Sequence, residues 1–297
     1  MNGKRKSTLI LSILLLMLFL SKPILATGIG NKIWVIMPKE KEYIVLFNSF
    51  KKQTQKLHNF NFIIKNEITE DQKIDIITIG SKNTQKYISK EYNSLFFFLV
   101  IDPNIYAKVT EEEKKQNISG IFYYPSPEMQ LKIMTNIFPN IKNIAIICSE
   151  KSLKLAQYIY KLGRRRGKFI NIYKTDLEHY NNCLKTALQE NGIIWMIPDQ
   201  DIYTPITIKR TLLSGIKLGI PVWSFSTILL NAGAFGSFKI DNNEYCKEAA
   251  KIFYDCTILH KCKIEFTQKF KIILNKNLID FWGIKIPKET QKEVIIR

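Results

Sequence analysis

Three histidines, five cysteines and a set of hydroxyls and carboxylates at strand ends are the residues with chemistry to offer. His58, His179 and His260 lie far apart, none beside a nucleophile motif, and the chain has no G-x-S-x-G elbow. Gly80-Ser81-Lys82 lacks the glycine spacing of a phosphate loop. Cys148, Cys183, Cys246, Cys256 and Cys262 form no C-x-x-C pair and have no His at ligand spacing, so no zinc pattern is present. No catalytic centre, metal or cofactor is expected. What recurs instead is a polar residue directly after an apolar run: Ser81, Asp102, Ser149, Asp199, Ser224 (with Phe225) and Asp241. Such an oxygen can cap the following helix. It can equally meet a donor on a buried solute, whose polar groups are costly to bury unless matched. Recurrence along the whole chain favours a binding cleft. Tyr123 and Tyr124 end another run and add flat surface, though aromatics beside a sheet serve a core equally well.

The runs that carry these residues read as strands. Ile33 to Met37, Phe60 to Ile64, Ile74 to Ile79, Leu95 to Ile101 and Ile118 to Tyr124 form a first series. Asn143 to Cys148, Phe169 to Tyr173, Ile193 to Ile197 and Pro221 to Phe225 form a second. Leu95 to Ile101 is apolar throughout, the pattern of a strand covered on both faces. Between runs, apolar residues recur at helical spacing, as in Met129, Ile133, Met134 and Ile137. Strands alternating with such helices predict βαβ units, hence an α/β fold with two doubly wound parallel-sheet lobes. The two rounds meet at Tyr123 to Pro127, which predicts a hinge there. In parallel sheets ligands bind beyond the carboxyl ends of the strands, which is where the polar residues above recur.

The N-terminus bears on compartment. Lys4, Arg5 and Lys6 precede an apolar run from Leu9 to Leu20, followed by Ser21-Lys22-Pro23 and a small residue at Ala26. That order is the order of a secretory signal peptide. A membrane span needs roughly 20 apolar residues, more than this run holds. Residues 1–26 are therefore read as a cleaved leader, and the mature chain as periplasmic. The formal charge of +18, less the leader's Lys4, Arg5, Lys6 and Lys22, leaves about +14. In a cytosolic protein that excess would suggest nucleic acid. Export excludes that partner and leaves a solvated basic surface, or attraction for an anionic ligand or membrane.

Several segments, in order, carry a family resemblance. Asn117 to Gly120 followed by Pro125 to Leu131 resembles the "N-(V/I)-(T/S)-G" run and "P…QL" helix of an uncharacterised family of ABC-transporter substrate-binding proteins. Gly80-Ser81 with Val100 to Pro103, Pro198-Asp199 with Thr204 and Ile220 to Val222, Gly233 to Phe235 with Asp241, and Asn275 to Pro287 resemble its later segments. The resemblance spans about 31–287. It implies a type I periplasmic-binding fold, a ligand between the lobes, an inner-membrane ABC permease as partner, and no catalysis. Some relatives are associated with aromatic amino acids. Leu278 to Phe281 and Cys246 depart from the family's small residues, and the first strand ends in Pro38-Lys39-Glu40, so ligand identity does not carry over.

The expected organisation is a first lobe of 31–122 with about 243–270, and a second of 123–242 with about 271–297. The expected function is capture of a small solute, amino-acid-like or aromatic, by a monomer closing on its hinge. A sensor reporting to a membrane kinase would use the same fold. Cys256 falls on the apolar face of a helix, and continued helix would hold Cys262 too far away, so no bridge between them is expected. Sequencing the exported product should find an N-terminus at Thr27 or Ile29 in the soluble periplasmic fraction. Intact Met1 in membrane pellets would refute the leader.

Overall fold

A computed structural model describes residues 32–68, 74–102, 105–106, 108–109, 117–288 and 294–296. The leader expectation lies outside the described residues. In chain order the first round holds β1 (Lys32–Ile36), α1 (Lys41–Gln55), β2 (Asn61–Lys65), β3 (Asp75–Ile79), α2 (Ser81–Tyr87), β4 (Ser94–Val100) and β5 (Ile118–Pro125). The second holds α3 (Pro127–Ile137), β6 (Asn143–Cys148), α4 (Leu153–Arg165), β7 (Phe169–Lys174), α5 (Tyr180–Glu190), β8 (Ile193–Trp195), α6 (Pro205–Leu218), β9 (Val222–Trp223) and β10 (Gly236–Ile240). A 3₁₀ turn, Thr227–Leu230, precedes β10. Then come α7 (Asn242–Thr257), β11 (Ile264–Thr267), β12 (Phe270–Leu274), α8 (Lys276–Trp282) and β13 (Val294–Ile296).

These strands form two sheets. One has the order β11-β5-β4-β3-β1-β2, the other β13-β12-β10-β9-β8-β6-β7. Every pairing is parallel except β10 with β12. The expected α/β class therefore holds. The strands after residue 240 did not stand out in the sequence, because they are short and Lys263, Lys269 and Lys271 interrupt their apolar pattern.

β4 shows why a continuous apolar run reads as a central strand. Phe96 and Phe98 face α1 and α7, in a core with Phe50 and Phe253. Leu95, Phe97 and Val100 face the opposite core with Ile118 and Phe122. Gly120 lies beside Phe97 so closely that a Cβ there would come within 2.5 Å of its ring.

Past Phe97 the register between β4 and β5 shifts. Leu99 there takes φ +56°, a left-handed conformation that a branched apolar residue seldom adopts. Tyr245, fully buried on α7, fills the break. Its hydroxyl accepts from the Leu99 N–H at 2.9 Å and donates to the Ile121 carbonyl at 3.0 Å. One phenol thus completes the ladder between two strands and pins α7 against the first sheet.

The cysteine expectation is corrected: Cys256 and Cys262 form a disulfide. Helix α7 ends at Thr257 instead of running on. His260, at φ +54°, reverses the chain, and the Lys261 N–H bonds the Asp255 carbonyl at 2.9 Å. The turn leaves the two Cα atoms 4.1 Å apart. Cys148, Cys183 and Cys246 are free.

Tyr245→Phe would leave the Leu99 amide and Ile121 carbonyl unpaired in the core. Denaturant unfolding should show a loss of about 1–3 kcal/mol, the range for orphaned buried groups. No measurable loss would mean that the strands re-pair without the phenol.

Candidate functional site

The carboxyl ends of both sheets meet over one cavity. From the first sheet come Ile101, just past β4, and Tyr123, Tyr124 and Pro125, the last residues of β5. From the second come Pro198 past β8, Phe225 to Thr227 past β9, and Phe238 to Ile240 on β10. Asn242, the first residue of α7, completes the lining. The volume is about 450 Å³, within the range of small-molecule sites. The chain crosses between the sheets at this place, after β5 and again after β10.

Aromatic residues set much of the wall. Tyr123 is half-buried and stands edge-on to Tyr245 with ring centres 4.9 Å apart. Its hydroxyl donates to the Asn242 amide oxygen at 2.5 Å, joining β5 to the start of α7. Burial holds the Tyr123 phenol above its ordinary range. Tyr124 is buried, and burial raises its phenol further. Both stay neutral at physiological pH. Phe225 is half-buried and packs against Tyr203 at 5.8 Å.

Of the residues singled out in the sequence, Tyr123, Tyr124 and Phe225 line this cavity together. Ser81 and Asp102 sit beside it. The Ser81 hydroxyl accepts from the Ile101 and Asp102 N–H groups, each at 3.2 Å, and so straps the exit of β4 to the start of α2. Ser224 is buried and donates to the carbonyls of Ser226 and Gly236 at 2.9 and 3.3 Å. Asp241 caps α7, accepting from the Asn243 and Glu244 N–H groups at 3.1 and 3.2 Å.

Ser149 and Asp199 form a separate, buried node. The Asp199 carboxylate accepts from the Ser149 N–H at 2.7 Å and hydroxyl at 3.1 Å, the Asp201 N–H at 3.0 Å, and the Ser152 hydroxyl. It ties the loop after β6 to the loop after β8. It also lies at the N-terminus of α4, where the helix dipole favours negative charge. Beneath it, burial first and the nearby Asp199 charge second push the Cys148 thiol up to about 12, so this thiol remains protonated.

The cavity also takes residues that the sequence reading did not name as ligand contacts: Ile101, Pro125, Pro198, Ser226, Thr227, Phe238, Lys239, Ile240 and Asn242. Ser226 closes the strand end Ser224-Phe225-Ser226 that the sequence marks, and Thr227 is the next residue, so extending that strand end by one position would have found it. Lys239 carried no signal, being one of 44 Lys and Arg residues in a basic chain.

Because its carboxylate is met by donors of its own chain, Asp199→Ala should reduce unfolding free energy by about 1–3 kcal/mol in denaturant titrations. An unchanged unfolding midpoint would show that these bonds contribute nothing net.

Comparison with known proteins follows the same lines. Residues 38–294 match the family described as ABC transporter substrate binding protein. Among solved structures, an ABC domain from Streptococcus pneumoniae in complex with L-Trp is 15% identical at a TM-score of 0.58. It covers 90% of this chain and 99% of its own. A ligand-free, open substrate-binding protein with adhesive properties from Clostridium difficile aligns with TM-score 0.63 at 15% identity, over the same 90% and 99%. A conserved domain protein from Vibrio cholerae gives 0.59 at 15%, also over 90% and 99%. No curated protein matches the chain. At these identities the likeness is one of fold, the two-sheet type I periplasmic-binding architecture. The family match covers most of the chain, and the chain belongs to the family of ABC transporter substrate-binding proteins.

Proposed function

We propose that this chain captures a small solute in the cavity between its sheets and delivers it to the membrane permease of an ABC-type import system. The observation that carries the reading is the position of the cavity. Its walls come from the strand ends of both sheets, at the points where the chain crosses between them. A solute touching both walls is a cross-link between two bodies. It favours whichever arrangement brings them together, by the difference in its affinity for the two arrangements.

The first lobe is the β11-β5-β4-β3-β1-β2 sheet with α1, α2 and α7, and the second is the other sheet with its helices. Crossovers follow Pro125, Ile240 and Thr267. Tyr123, held to Asn242, lies between the first two, so movement at the hinge is felt directly in the binding wall. The L-Trp complex of the Streptococcus relative supports a small organic solute, and the aromatic wall here suits a flat or apolar part. The proposed setting is the periplasm, as a soluble monomer without catalytic activity.

Native protein purified from the exporting cell should retain a small molecule detectable by mass spectrometry. In calorimetry with that molecule, Phe225→Ala and Tyr123→Ala should each weaken binding by about tenfold, as expected for the loss of an aromatic contact. Small-angle scattering should show a smaller radius of gyration in the loaded state. Unchanged affinity in both variants would place the site elsewhere.

A further inference from the structure

Lys239 is left unexplained by solute capture in general. Its side chain is exposed on β10, and among the described residues no ion pair to its ammonium is found. It lines the 450 Å³ cavity and also an adjoining pocket of about 670 Å³, and Thr227 is shared by both. Among the described residues that line these two spaces there is no carboxylate, and Lys239 is the only charged side chain. The β10–β12 register sets Lys271 directly opposite Lys239, on the same face of the sheet. Like charges so placed repel each other. An anion between or beside them removes that repulsion.

The charge pattern is local. Another pocket of about 770 Å³ on the second sheet is lined by Glu150, Asp176, Glu178 and Asp201 together with Lys174 and His179. There the cations are already engaged: Lys174 pairs with Glu150 and His179 with Asp176, each at 2.8 Å. A cationic or zwitterionic solute would find carboxylates in that pocket. Among the described residues, the lining of the space between the sheets offers it none.

The geometry points to Lys239 as the residue that selects the solute by charge. The solute is a small organic acid. Its carboxylate, or another anionic group, lies against Lys239 and the Thr227 hydroxyl, with the apolar body along Tyr123, Phe225 and Phe238. An amino group on the solute is not required, because among the described residues no acid lines the cavity to receive it. A charge-assisted contact of this kind is stronger than a neutral hydrogen bond, and in a partly dry cleft it discriminates against solutes that lack the charge. This inference rests on the cavity being the solute site.

The test uses the mature chain and a charge series built on three bodies, indole, phenyl and branched alkyl. For indole the series is indole-3-propionate, L-tryptophan, tryptamine and tryptophol. Binding is read by calorimetry, and mass spectrometry identifies any molecule retained by native protein. The expected result is that bound and retained molecules carry an anionic group, and that the amine-only and neutral members do not bind. Lys239→Gln should weaken the anion by about tenfold or more, with Lys239→Arg restoring most of it. A neutral or cationic member binding as tightly as the acid, a retained molecule with no acidic group, or an acid bound unchanged by Lys239→Gln would overturn the inference while leaving solute capture intact. Failure of every compound, with nothing retained, would count against the cavity itself.

Discussion

The Tyr245 hydroxyl is the contact on which the first sheet and the cavity both depend. It substitutes for a backbone partner at the place where β4 and β5 lose register, so Leu99 can hold its left-handed conformation without leaving an orphaned amide. Because of that break, β4 ends by turning Ile101 into the cavity. Because the phenol belongs to α7, the same bond sets the position of a helix whose first residue, Asn242, grips Tyr123. Strand end, helix start and aromatic wall therefore share one origin. The helix arrives only after the chain has built most of the second sheet, so the geometry of the first sheet is completed by a segment distant in sequence.

How far the sequence could be read follows from this. Apolar runs and helical spacing announce the elements, since burial on one face or two leaves a periodic trace. The elements through Trp223 lie close to where that trace puts them, and Asn143–Cys148 matches to the residue. The family resemblance and the fold class also stand. The break in β4 left no trace, because Leu99 looks like any other residue of an apolar strand. The bridge between Cys256 and Cys262 was misread for a related reason. Helical periodicity continues to Cys256 and gives no warning of the reversal at His260, where the backbone takes positive φ.

The polar residues at strand ends show the same division. Sequence places Ser81, Asp102, Ser149, Asp199, Ser224 and Asp241 at the right edge of each sheet, but not which neighbour each one serves. Three-dimensional pairing decides that. Asp199 closes on Ser149 and Ser152, Asp241 on its own helix, and Ser81 on the chain leaving β4. These bonds tie together loops at the carboxyl edges of the sheets. The described residues facing the open space are mostly aromatic and aliphatic, with Lys239 the charged one among them. A rigid polar frame around an apolar wall suits selective capture, since side chains that are already ordered lose little entropy when a solute arrives.

The first sheet borrows its outermost strand from the far end of the chain. β11 pairs with β5 through Ile264 to Thr267, after the whole second round has been made. On a ribosome, β5 emerges more than a hundred residues before the strand that covers it. Until then its backbone donors and acceptors, flanked by Ile118, Ile121 and Phe122, form a bare sheet margin, the kind of surface that recruits foreign strands. Nascent or partly folded chains are thus sticky at one defined place, and premature termination anywhere in the second round leaves that place permanently open. Synthesis of this protein favours either a holding chaperone or passage across a membrane before folding begins.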